Sequence, residues 1–180
     1  TFLVVGAFPQ DLAGLRDQLQ AFPRLRCRFL PDQPFARVPE LVALADICLA
    51  LQDPSSAVSA AQVPAKLSDA LAMGRLAIVS QNRALCDLAL ADHALVTNWN
   101  DLHDVLARAL TSLPESADKQ AARRAFFLQE FSLAANRQRL QGVLAELPAE
   151  RNPGLSALMR RVLTHLSGFP LELLGLVKRA

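Results

Sequence analysis

Short, β-rich apolar runs alternate along this chain with stretches of helical periodicity, and that alternation leaves few folds open. Phe2–Val5 ends at Gly6, residues 26–30 end at Pro31, and residues 46–51, 76–80 and 94–97 are runs of the same kind. Between the first two, Leu12, Leu15, Leu19 and Phe22 recur at helical spacing. Pro39 opens a short helix through Ala45, residues 66–73 read as a helix stopped by Gly74, and residues 84–90 as another. Asn100 or Asp101 can cap a helix running to about Leu110, and one long helix is expected over residues 117–147. Strands joined through helices pair in parallel, through right-handed crossovers. The expected fold is therefore a Rossmann-like, three-layer α/β/α domain with a parallel sheet over residues 1–148, with a helical tail over residues 149–180. In such sheets ligands sit beyond the carboxyl ends of the strands, so the loops after Val5, Leu30, Leu51 and Ser80 are where a site belongs.

Composition removes other classes. Apolar residues make up 52% of the 180 residues and charged residues 20%, values of a globular chain. No stretch reaches the length of a membrane span, and TFLVVGAFP lacks the basic start and cleavage site of a signal peptide. Opening within a strand suggests a chain cut from something longer. A net charge of +2, no tyrosine and the lone Trp99 give neither the field nor the stacking platforms for nucleic acid. Cys27, Cys48 and Cys86 are odd in number and sit in apolar runs, so buried thiols are expected. His93, His103 and His165 are too scattered for metal spacing, and no metal is expected.

The stretch most able to do chemistry is PAKLSDALAMGRLAIVS, residues 64–80. A loop meets a helix at Pro64, and the first backbone N–H groups of a helix lack partners and carry partial positive charge. Lys66 adds a cation in the first turn, where the helix dipole disfavours it; that suits an anion better than it suits stability. Asp69, three residues on, shares its side of the helix and can accept both hydroxyls of a ribose. The same spacing also fits a plain surface ion pair between Lys66 and Asp69.

Four motifs, in order and with matching gaps, cover residues 1–147: LVVGAFP, FLPDQPFARVPELVALADICLAL, PAKLSDALAMGRLAIVS and RAFFLQEFSLAANRQRLQGVL. Together they resemble the C-terminal, donor-binding domain of GT-B fold glycosyltransferases, in particular the retaining glycosyltransferase group 1 (GT4) family. The resemblance implies one half of a GT-B fold that binds a nucleotide-diphosphate sugar without a cofactor or metal. The acceptor-binding N-terminal GT-B domain would be the partner it lacks, leaving this half inactive alone and its catalytic base unassigned. The implied acceptor is a glycan or lipid-linked acceptor, in bacterial surface polysaccharide or lipopolysaccharide synthesis, in the cytoplasm or at the inner face of the membrane. Asp69 takes the place of the glutamate that holds the donor ribose, while Lys66 and the amides of Ala65–Leu67 would border the diphosphate. Gly6 and Ala7 would leave room for the donor, Leu30, Pro31 and Asp32 would lie along the nucleobase, and residues 52–63 would approach the transferred sugar. Three positions depart from the family pattern: Ala61 replaces the glutamate eight residues before Asp69, Asp69 is itself shorter than glutamate, and Leu76 replaces a proline. The alternative they raise is a degenerate, non-catalytic GT-B-like binding or scaffolding module.

Other residues read more plainly. Pro31-Asp32-Gln33-Pro34 also fits a simple turn. Arg123, Arg124, Arg137 and Arg139 are expected on the solvated face of the long helix, Trp99 as a packing anchor, and His93 in an exposed loop. Ser80, Gln81 and Asn82 end a strand where they could touch the donor sugar. In the tail, Leu155, Leu158, Met159, Val162, Leu163 and Leu166 form an apolar stripe at helical spacing. It fits a helix docked on protein, and it also fits an interfacial helix over residues 150–180 in peripheral contact with anionic lipid.

Overall fold

The computed structural model describes residues 1–6, 14–15, 17–19, 21–53, 55–86, 88, 90 and 92–146. Ala7 and the whole of the tail's apolar stripe lie outside the described residues. The chain divides into two compact units, Thr1–Leu41 and Val42–Ala180.

In the first unit, strands β1 (Phe2–Val5) and β2 (Cys27–Leu30) pair in parallel with Phe2 opposite Cys27 and Val5 opposite Leu30. Residues 14–15 and 17–19, in the connection between them, are helical. Gly6 takes φ +77°, which lets the chain turn off β1, and its N–H donates to the Leu30 carbonyl at 3.2 Å. A helix, α1 (Val38–Leu44), follows, with Pro39 in its first turn as expected.

The second unit holds a three-stranded sheet of β3 (Ile47–Ala50), β4 (Leu76–Ser80) and β5 (Ala94–Thr97), all parallel, with β4 in the middle. All five residues of β4 are buried, because side chains alternate across a strand and both faces of this one are covered. Ala77 and Val79 face Leu67, Ala70 and Leu71 of α3 (Ala65–Ala72) and Phe126 of α5 (Ala117–Glu130). Leu76 and Ile78 face Val105 and Ala109 of α4 (Leu102–Thr111). That is the three-layer α/β/α arrangement, with parallel strands and a Rossmann-like order.

Local chemistry explains the boundaries. The expected loop over residues 52–63 contains one helical turn, α2 (Ala57–Ala60), capped by the Ser56 hydroxyl, which accepts from the Ser59 amide. Helix α3 ends in a Schellman turn: Gly74 N–H reaches the Leu71 carbonyl at 2.9 Å and Arg75 N–H the Ala70 carbonyl at 2.8 Å. Gly74 sits at φ +70°, and a Cβ added there would lie 2.7 Å from the Gln120 carbonyl oxygen. Glycine is therefore required by conformation and by the approach of α5. Before α4, the Asn98 side chain organises the turn, its oxygen accepting from the amides of Asn100 and Asp101 at 2.8 and 3.0 Å.

Several expectations need correction. The single helix expected over residues 117–147 is two, α5 and α6 (Leu133–Glu146). Ser132 breaks it: its hydroxyl donates to the Leu128 carbonyl at 2.5 Å and accepts from the Ala135 amide at 3.1 Å, ending one helix and capping the next. In place of a helix over residues 84–90 there is a 3-10 turn, Arg83–Leu85, capped by Asn82. Arg123 is not solvated but buried at 3% exposure, held bidentately by Glu115. Arg124 and Arg139 are tied down in part, to the Met73 carbonyl and to Glu130. Trp99 is 53% exposed and packs as no anchor. His93 is half-buried, stacked on Phe126 with ring centroids 4.2 Å apart. Cys86 is exposed, whereas Cys27 and Cys48 are half-buried. No helix among the described residues is long and apolar enough to cross a membrane.

Candidate functional site

The second unit opens a cavity of about 520 Å³ beyond the carboxyl end of β3, within the usual range for small-ligand sites. Its walls are the end of β3 with Leu51 and Gln52, the returning chain at Gln62 and Val63, and Pro64, Ala65 and Lys66 at the start of α3. The position follows from the topology: β3 delivers the chain to the rim, and α3 begins there to carry it back to β4.

Helix α3 has no side-chain cap, because Pro64 holds the cap position. The Leu67 amide donates to the Pro64 carbonyl at 2.9 Å. The amides of Ala65 and Lys66 have no partner among the described residues. Ala65 and Lys66, the residues that carry these two amides, both line the cavity. Lys66 is exposed. Leu67, by contrast, puts its side chain into the core at 0% exposure.

Asp69 lies one turn further along, half-buried. Burial pushes its carboxyl above the usual carboxylate range, and the Lys66 charge offsets this only in part. The two side chains form no ion pair with each other, nor with any other described residue. The Lys66 charge acts on Asp69 from beyond ion-pair distance. Asp69 is a partly desolvated carboxylate with no hydrogen bond or ion pair among the described residues, and it is not one of the residues that line the cavity. It also reaches the field of Cys48 on β3: burial raises that thiol's pKa, Arg75 lowers it, and Asp69 raises it.

The loop over the cavity is pinned from behind. Ser80, 7% exposed at the end of β4, accepts from the Gln52 amide at 2.8 Å through its hydroxyl, which also donates to the Gln52 carbonyl at 3.3 Å. Asn82 donates to Gln52 Oε1 at 2.8 Å, to the Gln62 carbonyl at 3.0 Å and to the Ser59 carbonyl at 3.3 Å. Sequence reasoning noticed Ser80 and Asn82 but offered them to the sugar; the structure gives them to the loop. Gln52 went unnoticed as an individual, since only a partner thirty residues away marks it out.

In the first unit, Gly6, Leu30 and Asp32 meet at the carboxyl ends of β1 and β2. A Cβ built on Gly6 would lie 3.8 Å from Asp32 Oδ1, ordinary van der Waals contact, so it is the positive φ and not crowding that favours glycine there. Pro31 and Asp32 are exposed, and their carbonyls accept from the Gln33 side chain at 2.9 and 3.3 Å. Among the described residues no group of three His, Cys, Asp or Glu side chains is placed to hold a metal ion.

No family model matches the sequence, and neither does any curated protein sequence. Among solved structures the chain is similar to Alr3699/HepE of Anabaena, determined in complex with UDP-glucose, at 17% identity and a TM-score of 0.59. The similarity covers 81% of this chain and 40% of that one, so the chain spans about half the length of its structural neighbour. At that identity, what the two share is the fold.

Proposed function

We propose that this chain is the donor-binding domain of a glycosyltransferase, one half of a GT-B fold of the group 1 type. It takes a nucleotide-diphosphate sugar and, with an N-terminal acceptor domain, passes the sugar to a glycan or lipid-linked acceptor. The observation that carries this is the cavity at the start of α3. Unpartnered amides, an unpaired lysine and, one turn on, an unpaired carboxylate are arranged where a parallel α/β sheet binds ligands. The likeness in fold to a protein solved with UDP-glucose supports the same class of ligand.

The chemistry follows from charge. A departing nucleoside diphosphate gathers negative charge as the sugar leaves it, and fixed N–H dipoles with an ammonium lower the cost of that charge. Ala65, Lys66 and the start of α3 supply both. Asp69 accepts the ribose hydroxyls and orients the donor without moving a proton. Gly6 and Ala7, with Leu30, Pro31 and Asp32, serve the backbone and base of the donor. Acceptor activation belongs to the other domain, in surface polysaccharide or lipopolysaccharide synthesis at the inner face of a bacterial membrane.

A second reading, a binding module that kept the fold and lost catalysis, is favoured by Ala61. The family's second carboxylate is absent there, and the position is an exposed helix end. A thermal-shift panel of UDP, GDP, ADP and CMP is expected to reveal one stabilising nucleotide. Calorimetry is then expected to show binding weakened severalfold by Asp69→Ala and by Lys66→Ala. Unchanged affinity in the Asp69 variant removes that residue from the site.

A further inference from the structure

Asn82 borders a hollow of about 60 Å³ whose wall it shares with Gln52, and Gln52 also borders the large cavity. The direction of the Gln52 amide can be deduced from the groups around Asn82. The Asn82 side-chain nitrogen meets two main-chain carbonyls, those of Gln62 and Ser59, which only accept hydrogen bonds. Its oxygen accepts from the Leu85 amide at 3.0 Å, so the group cannot be flipped without breaking contacts on both sides. The Gln52 atom it meets at 2.8 Å must then be an acceptor, Oε1. Ser80 fixes the Gln52 backbone at the same time, through both its N–H and its carbonyl. What remains is Gln52 Nε2, whose two N–H donors have no partner among the described residues.

We propose that Asn82 is a positioning residue that fixes Gln52 as an N–H donor to the oxygens of the transferred sugar, making Gln52 a specificity-determining contact. This rests on the donor-binding reading above. Lys66 and the start of α3 border the part of the cavity suited to a diphosphate, whereas Gln52 borders it from the end of β3. A polyhydroxylated ring offers acceptors for a fixed amide N–H₂; phosphate oxygens do too, and the diphosphate arm of the test separates the two.

The test is calorimetry of the full chain with UDP, GDP and ADP and the glucose conjugate of each. The wild type is expected to bind one conjugate more tightly than its parent diphosphate. Gln52→Met keeps the side-chain length and removes the donors, and is expected to weaken the conjugate about fivefold while leaving the diphosphate within about twofold, the scale of one hydrogen bond. Asn82→Ala is expected to weaken the conjugate about threefold through Gln52, so combining it with Gln52→Met adds no further loss of preference. A preference for the conjugate that survives both substitutions, or losses that add, overturns the inference and leaves the donor reading standing. A wild type that binds a diphosphate but prefers no conjugate does the same. A wild type that binds none of the six overturns both.

Discussion

Arg123 and Lys66 are both cations on helices of the same unit, yet they are treated in opposite ways. Arg123 is buried and fully matched: Nε donates to the His93 carbonyl at 3.1 Å, both terminal nitrogens go to the Glu115 carboxylate, and Nη1 also reaches the Gly74 carbonyl at 3.5 Å. Among the described residues Lys66 has no ion pair with an anion, and Asp69 one turn away has none with a cation. The first pair holds α5 against the turn after α3 and the entry to β5. Lys66 stands at the other end of α3, beside an open cavity, with Asp69 in the middle of the helix. The fold gives Arg123 its partners, whereas Lys66, which lines the cavity, has no ion pair among the described residues.

That contrast can be broken by mutation. Arg123→Met removes one side of a buried pair and strands Glu115, whose side chain is 7% exposed, so a loss of about 3–5 kcal/mol is expected in urea unfolding. A loss below about 1 kcal/mol would mean that the pair does not hold the fold. Gly74→Ala comes next: the positive φ alone costs roughly 1–3 kcal/mol, and the approach of the Gln120 carbonyl adds to it. Thermal melting is expected to show a clear drop, and an unchanged midpoint would contradict the packing of α5 on this turn.

Asp69 is expected to act in the other direction. Its carboxyl pKa is raised on folding, so between the unfolded value, about 4, and the higher folded value the native state binds more of this proton than the unfolded chain does. Stability from this group is present at lower pH and is lost as pH rises through the folded value. Asp69→Asn is expected to flatten that decline and to leave the protein as stable or slightly more so at neutral pH. A steeper decline in the variant would show that the carboxylate has a stabilising partner after all. Smallest is the difference among thiols. Burial raises the Cys48 pKa, so alkylation at neutral pH is expected at the exposed Cys86 first and at Cys48 slowly. Equal rates at the two would mean that β3 is more open than described.

What could be read from the sequence was what depends on neighbours in the chain. Leu76–Ser80 and Ala94–Thr97 are strands with the expected ends, and α3 starts one residue before its expected position and is closed by Gly74 as its spacing implied. A cavity does open at the start of α3, where Ala65 and Lys66 line it and Asp69 does not. The errors are where a long-range partner decides. Arg123 looked solvated because Glu115, eight residues back, is off the helical spacing, although Phe126 and Phe127 at three and four residues further mark that face as apolar. Ser132 lacks a glutamate or glutamine at its third following position, the usual sign of a capping box, so the break in the long helix gave little local signal. Asn82 and Gln52 are a contact across thirty residues, and no local periodicity reports such a pair.

The tight seat of Gly74 against Gln120 has a consequence at the opposite end of its helix. With its last turn bolted to α5, α3 has little freedom to tilt or slide, and the two unpartnered amides at its start are preorganised. A ligand arriving there meets donors whose ordering was settled during folding, so little of its affinity is spent on rearranging the helix. On the donor-binding reading, any adjustment to a ligand falls to residues 55–63, which the Asn82 side chain holds through the Ser59 and Gln62 carbonyls.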